Sequence, residues 1–249
     1  AQDHRHDLLD EFAKFVRRHR PDFIFCENVP GLQLFSSATG PLNRFMALLD
    51  SCGYRHNSWI IESQDYGVPQ RRRRLVLVAC KRSTTLLPAC PPSPTHGPKV
   101  NRPYSVVRDW ISDFPPLEAG QAHPTDPAHR AAHLSALNLK RIRCTPPGGT
   151  RTSWPAELVL PCHEKTSGHT DVYGRLRWDS PASAMTTRCV SLSNGRYGHP
   201  DQDRAITPRE AASLQTFPRN FKFVGSHVSI ARQIGNAVPV LLARKFGEY

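Results

Sequence analysis

Asp65-Tyr66-Gly67-Val68-Pro69-Gln70-Arg71-Arg72-Arg73-Arg74 runs directly into Leu75-Val76-Leu77-Val78-Ala79. The apolar run reads as a short buried strand. Four arginines lead into it, so the two-residue period of a strand puts Arg72 and Arg74 on one face and Arg71 and Arg73 on the other. With an apolar strand directly behind them, at least one of these faces points into a cleft. A guanidinium donates two parallel hydrogen bonds from a planar fork, which suits it to phosphate. Outward from this stretch, Phe23-Ile24-Phe25-Cys26 and Trp59-Ile60-Ile61 read as two further buried strands. Leu8, Leu9, Phe12, Phe15 and Val16 recur at helical spacing, with Asp7 as N-cap, Arg17, Arg18 and His19 in the last turn, and Pro21 as the stop. Pro41 to Asp50 makes a second helix, with Leu42, Phe45, Met46 and Leu49 on one face and Gly53 past its end. Helix and strand alternating at this pace predict an α/β layer with a largely parallel sheet.

The character changes after Lys81. From Leu86 to about Ser167 the chain is rich in Pro, Gly and His, with turn pairs at Pro91-Pro92, Pro115-Pro116, Pro146-Pro147 and Gly148-Gly149. Only His129–Arg143 looks helical there. The segment is either a long irregular insertion or a small, loop-built second domain. Regular pattern returns at Thr207-Pro208-Arg209-Glu210, which joins an N-cap Thr, a Pro at the first helical position and a capping-box Glu. That helix runs through Ala211, Leu214 and Gln215 until Pro218, and a last one follows Pro239 through Val240, Leu241, Leu242 and Phe246.

Composition limits what such a chain does. Its 249 residues are 39% hydrophobic, enough for a core, which argues against disorder throughout. Apolar runs such as Leu75–Cys80 fall far short of the roughly 20 residues that cross a bilayer, so no membrane partner is expected. Ala1-Gln2-Asp3-His4-Arg5-His6-Asp7 lacks the apolar centre of a signal peptide. Seven cysteines, an odd number with no Cys-x-x-Cys pair, argue against a disulfide framework and a zinc ribbon and favour a reducing cytoplasm. Cys162, His163 and His169 lack a fourth ligand at sensible spacing, so no metal is expected. Against 21 acidic residues stand 33 Lys and Arg, a net charge of +12, which points to a polyanion, most simply nucleic acid.

Phe25-Cys26-Glu27-Asn28-Val29-Pro30-Gly31 follows a strand directly. In an open α/β sheet ligands bind outside the carboxyl ends of strands, which is where Glu27 falls. Taken alone, the stretch is equally an ordinary turn with a solvated Glu, and Cys26 a small buried hydrophobe. A third stretch is Arg204 to Pro218, around Thr207-Pro208-Arg209-Glu210. The fourth is Gln233-Ile234-Gly235-Asn236-Ala237-Val238-Pro239. Singly these are a capped helix and a Gly-Asn turn. In this order and spacing, the Glu-Asn-Val turn, the Gln-x-Arg-x-Arg strand, the Thr-Pro-Arg-Glu helix and the Gly-Asn-x-Val turn resemble the later motifs of the DNA cytosine-5 methyltransferases. The resemblance covers essentially the whole chain.

It implies an α/β fold, the C-terminal part of a Rossmann-like methyltransferase domain with a smaller, loop-rich target-recognition domain inserted. Residues 1–82 would belong to the catalytic domain, 83–203 to the recognition domain, and 204–249 would return to the first. The implied reaction moves a methyl group from S-adenosylmethionine to carbon 5 of a cytosine flipped out of duplex DNA. Cytosine is a poor electrophile at carbon 6, so a cysteine thiolate adds there first. Glu27 matches the carboxyl held at ring nitrogen 3. To donate that hydrogen bond it must be protonated, its pKa raised by burial or anionic neighbours. Asn28 would order the turn. Arg72 and Arg74 match the two arginines near the base, one on its carbonyl oxygen and one supporting nearby backbone. Gly235 and Asn236 would lie beside the methyl donor. Gln70, Arg71, Arg73, Arg188, Asn194, Arg196 and Arg209 are the expected DNA contacts, with Asn194 and Arg196 in the polar loop Asn194-Gly195-Arg196-Tyr197-Gly198-His199.

Two departures stand out. The family's Phe-x-Gly-x-Gly donor loop and Pro-Cys-Gln nucleophile loop are not in this sequence. Pro161-Cys162-His163 has the Pro-Cys pair without Gln and falls in the insertion, as part of the recognition region. The chain is therefore expected to be the C-terminal part of such an enzyme and inactive alone: a fragment, one half of a split enzyme with a complementary chain, or an inactive remnant. A non-catalytic DNA-recognition subunit is the alternative. In addition, Ser183-Ala184-Met185 stands where relatives often have Pro-Thr-Ile. If that Thr hydroxyl touches a phosphate, Ala184 forgoes a hydrogen bond worth about 1 kcal/mol.

Overall fold

The computed structural model describes residues 7–31, 40–83, 87–164, 168 and 170–249. His169 and the side chain of the expected cap Asp7 lie outside the described residues, as do the expected segment ends Leu86 and Ser167. The chain divides into two compact units, Ala1–Glu62 with Arg73–Ser93, and Ser63–Arg72 with Pro94–Tyr249.

The first unit holds helix α1 (Asp7–His19), strand β1 (Phe23–Asn28), helix α2 (Pro41–Ser51) and strand β2 (Tyr54–Glu62). After β3 (Gln70–Arg71), which belongs to the other unit, comes β4 (Arg73–Lys81). The sheet order is β1-β4-β2, and both pairings are antiparallel. This corrects the expectation of a largely parallel sheet. β1 and β2 do point the same way and are joined through α2, but β4 returns between them. The link from β2 to β4, residues 63–72, is shorter than the dozen or more residues that a parallel crossover takes. As the central strand, β4 is covered on both faces, and Leu75, Val76 and Leu77 are all buried. That is why the sequence shows a continuous apolar run there and no alternation. Leu9, Ala13 and Val16 of α1 and Leu42, Phe45 and Leu49 of α2 form one core with Ile24, Leu75 and Leu77. Each large apolar side chain fully buried there contributes about 1.5–3 kcal/mol. Tyr54 is wholly buried as well, and its hydroxyl donates to the Pro21 carbonyl at 2.5 Å.

The second unit has little regular structure. Its elements are the short helices α3 (Arg108–Ile111), α4 (Ala136–Arg143) and α5 (Pro161–Glu164), strand β5 (Ala182–Ser183), and helices α6 (Pro208–Leu214), α7 (His227–Asn236) and α8 (Val240–Gly247). β5 pairs in parallel with β3, Gln70 opposite Ala182 and Arg71 opposite Ser183. The helix expected from His129 begins only at Ala136, where the Ser135 side chain caps it by accepting from the Asn138 amide. His129 is instead buried between Thr207 Oγ1 (3.0 Å) and the Pro115 carbonyl (2.9 Å). α6 starts on the expected capping box. Gln233 to Asn236 is not a turn but the end of α7, which Ser226 caps and whose Ile230, Ala231 and Ile234 are buried.

Buried arginines take the place of ladders in this unit. Arg175 spends all five N–H groups: on the carbonyls of Ile142, Thr145, His199 and Gln202, and on Asp203. Arg204, fully buried, holds Glu210 through two hydrogen bonds of 2.7 and 2.8 Å. Burial works against charge on Glu210, but the hydrogen bonds and charge of Arg204 outweigh it and hold the carboxyl below its usual range. Around these groups Leu176, Met185, Ile206, Leu214, Ile230 and Ile234 form the apolar core. Among the described residues no helix is long and apolar enough to cross a membrane.

Candidate functional site

In the first unit the register of β1 on β4 places Glu27 opposite Val76. Arg74 is then the diagonal neighbour of Glu27 on the same face, a spacing that long side chains bridge. They do: Arg74 Nε lies 2.8 Å from Glu27 Oε1, with side chains only 15% and 11% exposed. Arg74 Nη1 also donates to the Arg73 carbonyl at 2.7 Å. Glu27 is thus largely buried, one of the two expected surroundings, but the charged neighbour that β4 brings to it is a cation and not an anion. Asn28 Oδ1 accepts from the Val29 amide at 2.8 Å and so braces the turn that follows. Cys26 alternates to the other face and packs on the core. Burial and then the Glu27 carboxylate push its thiol up to about 11, so it stays protonated near neutrality. Arg73, on β4 opposite Glu62, is 65% exposed and 3.7 Å from that carboxylate.

Gln70 and Arg72, the alternate positions of the same run, are buried inside the second unit. Gln70 has no exposed surface; its Oε1 accepts from the Met185 amide and its Nε2 donates to Leu214 O and Gln215 Oε1. The expected DNA contact is therefore not made by this side chain, whose polar atoms are used within the protein. Arg72 donates to the carbonyls of Met185 (2.8 Å), Gly235 and Ala237 (both 3.2 Å). It ties the end of α7 to the segment after β5. Gly235 has no room for a side chain, because an added Cβ would overlap the Thr186 carbonyl. The Gly235 carbonyl is bound by Arg72 and its Cα lies against Thr186. Asn236, the last residue of α7, is exposed.

Arg71 points outward and lines a cleft of about 530 Å³ with Asp171, Arg177, Ser180, Ser183 and Arg196. A second cleft of about 350 Å³ shares Asp171, Ser183 and Arg196 with it and adds Asn194. Three expected DNA contacts, Arg71, Asn194 and Arg196, thus converge on one groove of the second unit. Arg196 is anchored there by the Gly148 and Gly149 carbonyls and by Asp171 at 3.0 Å. Asn194 donates to the hydroxyls of Ser191 and Ser193. Ala184 also lines the groove, and its carbonyl accepts from Tyr197 Oη. Arg188 is exposed. Arg209 is a correction: it is nearly buried and forks onto both oxygens of Asp126 (2.6 and 3.0 Å) while donating to the Phe221 carbonyl. Its charge is neutralised inside the protein. The sequence reading missed Arg177, in Gly174-Arg175-Leu176-Arg177-Trp178. The outward-facing charge beside buried Leu176 was the available signal.

Comparison with known proteins agrees with these motifs. Residues 1–249 match the family model described as C-5 cytosine-specific DNA methylase. The Type II methylase M.HgiDII of Herpetosiphon aurantiacus is 43% identical over 95% of this chain and 66% of its own length. The Type II methyltransferase M1.HphI of Haemophilus parahaemolyticus is 32% identical over 100% of this chain and 61% of its own length. The chain thus spans just under two thirds of these relatives. Among solved structures, a prophage-encoded chain of E. coli superposes with a TM-score of 0.69 at 21% identity, covering 99% of this chain and 73% of the other. The methyltransferase EhMeth of Entamoeba histolytica gives 0.59 at 18% identity, covering 98% and 70%. At these identities the structures speak for the α/β fold alone. Matched along its whole length by the family model, the chain belongs to the C-5 cytosine-specific DNA methylase family.

Proposed function

We propose that this chain supplies the base-polarising and DNA-reading part of a DNA (cytosine-5)-methyltransferase acting on a cytosine flipped from duplex DNA. The observation that carries this reading is the Glu27–Arg74 pair, largely shielded from water at the carboxyl end of β1. Cytosine offers two adjacent acceptors, ring nitrogen 3 and the exocyclic oxygen. Arg74 donates to the oxygen, and Glu27 shares a proton with nitrogen 3, which draws electrons from carbon 6 and prepares it for a thiolate. A carboxyl facing nitrogen 3 with no proton between them would set acceptor against acceptor, so acid catalysis here requires a proton shared between Glu27 and the base. Asn28 fixes the turn, and Arg72 fixes the backbone at Met185, Gly235 and Ala237. Residues 83–203 make the recognition domain, and Arg71, Arg188, Asn194 and Arg196 follow the DNA backbone.

Family membership implies S-adenosylmethionine, which supplies the methyl group. Of the two residues expected to hold it, Gly235 is closed by Thr186 and Arg72, and Asn236 alone is exposed. These two do not make a donor site by themselves.

The test is Glu27→Gln in the intact enzyme that carries this chain. Gln keeps the shape and some hydrogen bonding but passes no proton. Tritium transfer to DNA should fall about 10²–10⁴-fold with DNA affinity little changed. Arg74→Ala should slow transfer too, and in addition weaken the brightening of 2-aminopurine placed at the target position. Methylation at the unmodified rate by the Glu27 variant overturns the assignment.

A further inference from the structure

Among the described residues, the cations of the second unit fall into two kinds. Arg209 is paired with Asp126 and Arg219 with Asp113 in one large cleft of about 800 Å³, which Arg130 and Lys222 also line. Arg196 is paired with Asp171. Arg71 and Arg177, by contrast, line the smaller groove with no carboxylate or carbonyl bonded to either guanidinium among the described residues. Two unneutralised guanidiniums and the hydroxyl-bearing Ser180 and Ser183 on one concave surface make a site for an anion with several oxygens.

Arg177 is also held in place. Its chain neighbours are fixed on both sides: Leu176 is buried and exchanges hydrogen bonds with Gly198 and Gly148, and the Trp178 carbonyl accepts from the Arg108 amide. The side chain then lies across Gly148, where an added Cβ would overlap its Nε, Cγ and Cδ. Gly148 has φ +72°, a conformation open to glycine, so one residue both makes the turn and leaves the path for the side chain. Arg71 is fixed by its own ladder position opposite Ser183. Such pre-positioning lowers the side-chain entropy lost on binding.

We infer that Arg177 is a phosphodiester-binding residue, working with Arg71 from this groove to grip the backbone of the DNA, and that Gly148 exists to seat it. The inference rests on the DNA-methyltransferase reading above and deepens it. It takes a backbone phosphate because two guanidiniums and two hydroxyls match an anion with several oxygens, whereas a base edge carries no charge.

Fluorescence anisotropy of a labelled duplex, titrated with the intact protein between about 50 and 200 mM KCl, tests it. Removing one cation that neutralises a phosphate should reduce the steepness of log K against log[salt] by about 0.9. Arg177→Ala should show that reduction, and Arg177→Lys should restore most of it. Arg219→Ala, which removes an equal charge already matched by Asp113, should leave the slope as it is. An unchanged slope for Arg177→Ala while the wild type binds overturns the Arg177 assignment and leaves the broader reading intact. An equal reduction from Arg219→Ala also overturns it, because the slope would then follow net charge. Wild-type protein without salt-dependent duplex binding overturns both readings.

Discussion

The two units solve the same problem by different chemistry. In the first, backbone satisfies backbone: three paired strands and two amphipathic helices enclose an apolar core. In the second, most of the chain has no ladder partner, and side chains satisfy the backbone, with Arg72, Arg175 and Arg204 reaching carbonyls far away in sequence. Backbone that is neither helix nor sheet still carries one acceptor per residue, and burial without a partner costs about 1–3 kcal/mol each. Arginine, with five donors, is the residue that meets this need most densely. The net charge of +12 is thus a poor measure of how much cation faces outward. Several of the arginines behind it are structural.

If that contrast is right, the largest effect comes from Arg204→Met. The substitution leaves Glu210 ionised, buried and without its partner, and should lower unfolding free energy by about 3–5 kcal/mol in urea titration. Adding Glu210→Leu should recover part of the loss, because it removes the buried charge but leaves the Leu117 and Ala205 carbonyls and the Thr207 amide without these partners. A single variant as stable as the wild type would show that the buried pair does not support the unit.

The next effect is one of pH. His199 packs beside Glu210, but burial, helped by Arg204 and Arg175, lowers its pKa from 6.5 to about 4. Its ring is therefore neutral at pH 7, and the 3.9 Å approach to Glu210 is not an ion pair under those conditions. A depressed imidazole means that the unfolded chain takes up the proton first. The contribution of His199 to stability should be flat above about pH 6.5, fall by up to about 3 kcal/mol as pH drops toward 4, and level off below. His199→Gln should flatten that part of a melting-temperature profile. A profile that His199→Gln does not alter would place the acid sensitivity elsewhere.

The smallest effect belongs to the first unit. Arg73→Ala removes a solvated cation 3.7 Å from Glu62 and should shift stability by less than about 0.5 kcal/mol. A loss as large as that of Arg204→Met would erase the distinction between the two kinds of arginine.

The same contrast explains what could be read from the sequence. The strands and helices of the first unit were legible because periodicity reports burial. The arginines alternate in exposure, Arg71 and Arg73 exposed, Arg72 buried and Arg74 nearly so, but the strand breaks at Arg72, which belongs to the other unit and shares no strand face with Arg74. Strand direction was not legible, since a length of connection, not a residue pattern, sends β4 back between its neighbours. Glu27 was found by its place at a strand end, but the identity of its neighbour needed the register. In the second unit, Gln70 and Arg209 have the composition of DNA contacts and the surroundings of core groups. Nothing local distinguishes them from Arg71 and Arg177, because their partners lie more than 80 residues away in the chain.

Those distances also set an order of events during synthesis. The sheet of β1, β2 and β4 is complete once Lys81 has left the ribosome. The short stretch around Gln70 and Arg72 cannot close at that time: Gln215 lies 145 residues beyond the first, and Gly235 163 beyond the second. At about 5–20 residues per second, translation leaves these polar side chains without their final partners for roughly 7–33 s. A nascent chain of this protein thus carries a finished sheet followed by an unclosed arginine-rich segment, in a cell crowded with RNA.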